Sequence, residues 1–329
     1  MMKLFATILA IVCIAAVATE HAEAQGCCTV GASSIGGFES GVQPYRKLSA
    51  AINYQYNSVT EAFQGRNRLE DPLRRTASVA YFNVQFEYGI QPGLSLLGSI
   101  YYSDKSRELT VTSGTGNERF PETASFSGSG IGDLMLLAKY QLVSPGILSP
   151  FGLYVGGGAS LPTGSFTREQ NGSQLSIDLQ PGTGATALIG WAYAVRSFPE
   201  LGMSLFATGS YRYAGPNLDG YRIGDEILAN LGAEYGFNQF FIGSLVLRAR
   251  FAQKDYSEGR FLIGTGGTYY DLMPGIAYTD GPSSARIFGQ LPVYRNVRGI
   301  QLTLTYLLGF EYRYIFDFRD VNSLMTPEP

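Results

Sequence analysis

The sequence predicts an all-β protein, an antiparallel transmembrane β-barrel of about twelve strands that follows a cleaved signal peptide. Three observations predict it. Long stretches alternate strictly, most clearly in the final strand, where Ile300, Leu302, Leu304, Tyr306, Leu308, Phe310, Tyr312, Tyr314, Phe316 and Phe318 interleave with Gln301, Thr303, Thr305, Glu311, Arg313 and Asp317. Side chains on a strand point alternately to its two faces, so one face is apolar and the other polar and charged. Short turns and long polar loops also alternate along the chain, the asymmetry of a barrel with turns in the periplasm and loops outside. Finally, the chain begins with an export signal, yet no later segment reaches the roughly 18 consecutive apolar residues of a spanning helix. An exported chain without such a helix crosses a bilayer only as a closed barrel, because hydrocarbon leaves no backbone polar group unpaired. The apolar face then meets lipid and the polar face lines a lumen. The competing architecture, a secreted sandwich or lipocalin-like barrel with its apolar face inside, predicts no turn–loop asymmetry.

The signal occupies residues 1–24. Lys3 is the basic start, an apolar run of about 15 residues follows, and Ala22-Glu23-Ala24 supplies the cleavage site before Gln25. Residues 25–46 have no period and read as a flexible periplasmic leader or a plug folded into the barrel. Cys27 and Cys28 lie within it. A vicinal disulfide is strained, so a free or an intermolecular thiol pair is equally open.

The barrel covers 47–318. Strand one, 47–57, is followed by a charged loop over 58–75. Strand two, 76–89, puts Phe82, Val84, Phe86 and Tyr88 outward and Asn83, Gln85 and Glu87 inward. It leaves through Pro92-Gly93, a tight turn. Strand three, 94–104, enters a second long loop over 105–130. Strand four, 131–142, sets Leu134, Leu136, Ala138 and Tyr140 outward against Asp133, Lys139 and Gln141 inward. Strand five, 150–161, precedes a third loop over 162–181. Strands six (182–195), seven (202–213), eight (226–237), nine (240–252), ten (269–279) and eleven (285–294) repeat the scheme before the final strand. Ten or fourteen strands are also compatible with the pattern. Residues 319–329 form a periplasmic tail, so Phe318 takes the part of the terminal aromatic that barrels present for assembly.

Composition agrees with a barrel. Gly (41), Tyr (22) and Phe (20) are abundant and charged residues make up only 16%, which suits interfacial aromatic girdles and a lumen crowded by tilted strands. The net charge of −3 indicates no nucleic-acid surface. The expected setting is the bacterial outer membrane, with its lipid and the barrel-assembly machinery as partners.

Catalysis is not expected. The sole histidine, His21, leaves with the signal, which removes Ser-His and Asp-His chemistry and the commonest metal ligand. No cofactor or metal site is indicated. By alternation Glu87, Asp133, Lys139, Arg212, Glu234, Arg248, Arg250, Glu311, Arg313 and Asp317 point into the lumen, five acids and five bases. A balanced interior argues against a strongly ion-selective pore, which would show a ring of one sign. Tyr81, Tyr101 and Tyr154 line it beside the charges, each with an apolar face and one hydroxyl.

The stretch Gly130-Ile-Gly-Asp-Leu-Met-Leu-Leu-Ala-Lys-Tyr140 resembles the Gly-x-Gly-Asp-Leu-x-Leu-x-x-Lys-Tyr signature of an outer-membrane family named after the MetA pathway of phenol degradation. Leu161-Pro-Thr-Gly164, Gln180-Pro-Gly-Thr-Gly184, and Tyr278 with 286–294 and Gln301 follow in the family's order. The resemblance spans 76–318; the Cys27-Cys28 leader and the tail after Phe318 depart from it. It implies a transporter barrel that passes small hydrophobic or aromatic compounds. The function expected is therefore a passive channel for such solutes. The alternative is a closed structural or adhesive barrel that binds partners through its external loops.

Overall fold

The computed structural model describes residues 40–71, 73–113, 120–146 and 149–318. The expected signal, Cys27, Cys28, most of the leader and the tail lie outside the described residues. Strands run from β1 (Lys47–Gly65) through β2 (Thr76–Gln91) and β3 (Leu94–Ser113) to β4, which comprises Phe120–Ile131 and Leu134–Val143. The series continues with β5 (Phe151–Leu161), β6 (Ala187–Phe198), β7 (Met203–Ala214), β8 (Glu226–Gly236), β9 (Phe241–Ala252) and β10 (Gly267–Asp280). The last ribbon, Ser283–Asp317, supplies two strands: β11 (283–297) pairs with β10, and β12 (300–317) pairs with β1. The ribbon reverses at Gly299, whose φ of +73° only glycine adopts readily. Below the reversal the Ile315 amide donates to the Pro282 carbonyl. Every sequential pair is antiparallel and β12 closes on β1, so twelve strands form a barrel with no free edge.

Outward and inward faces alternate as on β2, where Phe82, Phe86 and Tyr88 are exposed while Asn83, Gln85 and Glu87 are buried. Around the wall the exposed face is leucine-rich at mid-height, with Leu205, Leu231, Leu245, Leu247 and Leu308. Tyr235, Phe237, Phe241 and Tyr278 border it at the short-turn end, and Tyr211, Tyr213 and Phe251 at the loop end. An apolar band between two aromatic girdles is the outer surface of an outer-membrane barrel.

Three expectations need correction. The first concerns the strands on either side of the second loop, since most of 105–130 is β-structure in which β3 and the upper part of β4 pair from Tyr102–Ile131 to Ser113–Phe120. β1 likewise runs on to Gly65. A span needs only about 9–11 residues, so these extensions stand above the bilayer, where Ser106, Arg107 and Glu108 on β3 face Ser127, Phe126 and Ser125 with no sustained apolar alternation to read. The second concerns Leu302 and Leu304, assigned to the lipid face but buried. Register shifts between Ser58 and Glu61, opposite 303–306, break the alternation of β12, and Gln301, Leu302, Thr303 and Leu304 are all buried. Both leucines belong to the same buried cluster as Val59 and Val79. The third concerns the lumen face itself, which is not uniformly polar: Leu97, Met135, Leu137, Ile189, Trp191 and Phe206 form part of a buried inner cluster.

Turns and loops separate by end, which yields a direct test of orientation. With Cys27 and Cys28 replaced by serine, cysteines at the exposed positions Asn171 and Asp219 are expected to label from outside intact cells. A cysteine at Asn238, in the β8–β9 turn, is expected to stay unlabelled; the reverse pattern would place the barrel upside down.

Candidate functional site

The lumen has a mostly apolar arc and a mostly charged one. From β2 round to β7 the inward residues include Tyr81, Tyr101, Tyr154, Trp191, Tyr193 and Phe206. Tyr81 meets Tyr101 edge to face at 5.6 Å, Trp191 stacks on Tyr193 at 6.1 Å, and Tyr193 lies 5.6 Å from Tyr154 and 6.1 Å from Phe206. Space for this packing comes from glycine: a Cβ at Gly132 would lie 2.1 Å from the Tyr101 ring, and one at Gly232 would lie 2.3 Å from Phe206.

The opposite arc, β8 to β12, carries a polar network. Arg248 donates to Asn230 (3.1 Å) and Gln290 (3.2 Å), and Gln290 donates to Asp271 (2.9 Å). Arg250 pairs with Glu226 at 3.4 Å and lies 4.2 Å over the Tyr269 ring. Near the loop end Arg295 reaches Glu61 at 3.0 Å. Toward the turns Glu311 accepts from Arg313 at 2.9 Å, and half-buried Glu234 faces inward on β8. Asp317 sits at the rim, partly exposed, 3.2 Å from Lys47. Charges of both signs therefore pair within and between strands, which rigidifies the wall.

Two inserted segments bound this space. At the turn end, described residues of the leader enter the barrel. Lys139, with a fully buried side chain, pairs with Glu87 at 3.1 Å and donates to the carbonyls of Ser40 (3.1 Å) and Gly41 (3.2 Å). The Gln43 amide donates to Glu87, and Ser95 does so at 2.6 Å. Gly89 makes room, since a Cβ there would lie 2.0 Å from the Pro44 carbonyl.

At the loop end, the connection between β5 and β6 folds inward, with Leu175, Asp178, Leu179 and Gln180 buried. Lys105 donates to the carbonyls of Asp178 and Gln180, Arg107 pairs with Asp178 at 3.0 Å, and the Tyr101 hydroxyl donates to the Pro181 carbonyl. Asp133, 3% exposed, fastens the loop: Oδ1 accepts the Gly164 amide (3.0 Å), and Oδ2 accepts the amide (2.9 Å) and hydroxyl (2.6 Å) of Thr183. Gly164 packs between Gly132 and Gly182 without room for a Cβ on Gly164 or Gly182. The three glycine-rich motifs, distant in sequence, thus meet around one carboxylate.

Between the two inserts Tyr101, Asp133 and Arg212 are brought together. They line a chamber with Met135, Ile189 and Glu226. Tyr154, Glu87 and Lys139 belong instead to the leader's seat, and Arg248 and Arg250 to the charged arc. Sequence reasoning missed Glu226, Asp271, Lys105 and Arg107. Glu226 opens its strand and Asp271 follows close to the start of β10, while Lys105 and Arg107 were assigned to a loop. No group of acids, cysteines or histidines among the described residues is arranged to hold a metal.

The inverted barrel and its inner seals define the class: an outer-membrane β-barrel. The family described as "Putative MetA-pathway of phenol degradation" matches over residues 108–279, more than half of the chain, and the chain belongs to that family. No curated protein is recognisably similar in sequence. Among solved structures, an outer membrane channel from Pseudomonas putida F1 is 14% identical, with a TM-score of 0.63, 86% of this chain covered and 99% of that one. At that identity the likeness is one of fold. A Pseudomonas aeruginosa FadL homologue (10% identity, TM-score 0.40, 86% and 96% covered) and the NanC porin (10%, 0.41, 82% and 98%) are more distant.

Proposed function

We propose that the protein is a passive outer-membrane channel for small hydrophobic or aromatic solutes, working without chemistry or energy coupling. The observation that carries the reading is the inner arc from Tyr81 to Phe206, with aromatic side chains at 5.6–6.1 Å spacing inside a closed barrel. Apolar rings with a few hydroxyls provide weak, non-directional contacts along which an aromatic solute moves without being trapped. Opposite them the charged residues are paired, so no ring of one sign selects ions. Family membership and the Pseudomonas putida channel fold support the same function. Residues 1–24 act as the export signal, lipid and the barrel-assembly machinery receive the mature chain, and 319–329 follow as a tail. Residues 25–46 act as a plug, held by Lys139 and Glu87 at the turn end.

The test is uptake of benzyl alcohol into liposomes carrying the purified barrel, with and without residues 25–46. Flux is expected in both forms and faster without the plug. Absence of flux in either form would replace the channel by the closed, structural or adhesive barrel, for which the two inward-folded segments are the supporting feature.

A further inference from the structure

The chamber between the two inserts contains a guanidinium that makes no hydrogen bond or ion pair among the described residues. It is about 80 Å³ in volume, and a buried water needs roughly 10–15 Å³ on such a scale, so a few waters or one small organic body fill it. Met135 on β4, Ala187 and Ile189 on β6 and Ala214 at the end of β7 make its apolar sides. Its carboxylates and its phenol are committed to partners of their own. Asp133 spends both oxygens on Gly164 and Thr183, Glu226 pairs with Arg250, and Tyr101 donates to Pro181. Arg212 differs: among the described residues its guanidinium has no hydrogen-bond or ion-pair partner, although it lines the same space.

We infer that this chamber is a binding site for a small organic monoanion, a carboxylate carried on a single ring or a short chain, with Arg212 as its counter-charge. A guanidinium presents parallel donors that match a carboxylate in a two-point contact, and low-dielectric walls strengthen the pair. The methionine, isoleucine and alanine side chains receive the apolar body. Asp133 and Glu226 also line the space, so a second negative charge on the ligand would face a carboxylate. One charge is accepted and two are refused. The inference rests on the channel reading only in placing the chamber on the solute's path.

The experiment is calorimetric titration of the full mature chain, in a neutral maltoside detergent, with benzoate, phthalate and benzyl alcohol. Benzoate is expected to saturate one site and to bind at least tenfold tighter than either of the others. In Arg212→Gln the preference for benzoate over benzyl alcohol is expected to fall at least tenfold, whereas Arg212→Lys retains it. Ala187→Phe, which fills the chamber from β6, is expected to abolish benzoate binding. Heat-modifiable gel migration checks that each variant is folded. Benzoate bound no tighter than benzyl alcohol by the native chain, an unchanged preference in Arg212→Gln, or native binding by Ala187→Phe would each overturn the inference. Benzyl alcohol flux is read separately, so loss of the anion site leaves the channel reading standing, and loss of flux leaves the titration interpretable.

Discussion

Replacing Lys139 with methionine is expected to destabilise the barrel by about 3–5 kcal/mol, the cost of leaving a buried charge without its partner. Glu87 would keep the Ser95 hydroxyl and the Gln43 amide, but the cation 3.1 Å away would be gone. The measurement is the urea midpoint for unfolding from lipid vesicles, compared with the double variant Lys139→Met/Glu87→Leu. Removing both charges leaves nothing unpaired, so the double variant is expected to recover most of the loss. An equal loss in both would show that methionine fails through packing. Lys139 also donates to Ser40 and Gly41, so benzyl alcohol flux in the single variant is expected to rise toward that of the chain lacking 25–46. Stability and gating are thus joined in one side chain, fully buried and lying 5.0 Å over the Trp191 ring.

The parts of this fold that lie within the bilayer are those legible in the sequence. On β2 and the lower half of β12 lipid contact and lumen packing impose opposite polarity on neighbouring residues, and the period of two is unbroken. Above the membrane no lipid meets the outer face and the inner face packs on a polar loop segment through Lys105 and Arg107, so the apolar period vanishes where β3 and β4 continue through Ser106, Arg107 and Ser127. Register shifts between Ser58 and Glu61 were enough to bury Leu302 and Leu304, because each extra residue breaks the alternation of faces where it is inserted. The inward loop is harder still. Nothing local in Ser176-Ile-Asp-Leu-Gln180 says that Leu179 is buried, since its partners Lys105 and Arg107 are some seventy positions earlier. The available signal was the glycines: Gly164 packs closely against the backbones of both Gly132 and Gly182. The site divides in the same way. Alternation placed Tyr101, Asp133 and Arg212 inside, but only the closed barrel shows that they share one chamber while Lys139 and Glu87 hold the leader.

Leu231→Arg is expected to destabilise the barrel by about 2–4 kcal/mol in lipid, the cost of an arginine facing hydrocarbon near the bilayer midplane. Leu231 lies midway along β8 and is 62% exposed, between Ala207 on β7 and Leu247 on β9. Were this a water-soluble barrel, so exposed a leucine would accept arginine with an effect within about 0.5 kcal/mol. The same substitution therefore separates the two environments by its magnitude, read as the urea midpoint in vesicles of defined thickness. A second position calibrates it. Tyr235, four residues along and also outward, stands at the girdle, where the cost of arginine falls to about 0–1 kcal/mol because the guanidinium reaches the headgroups. A steep fall from Leu231 to Tyr235 is what a bilayer centred on the leucine band produces. Equal costs at both sites would mean that packing against neighbouring strands, rather than lipid, sets the outer face.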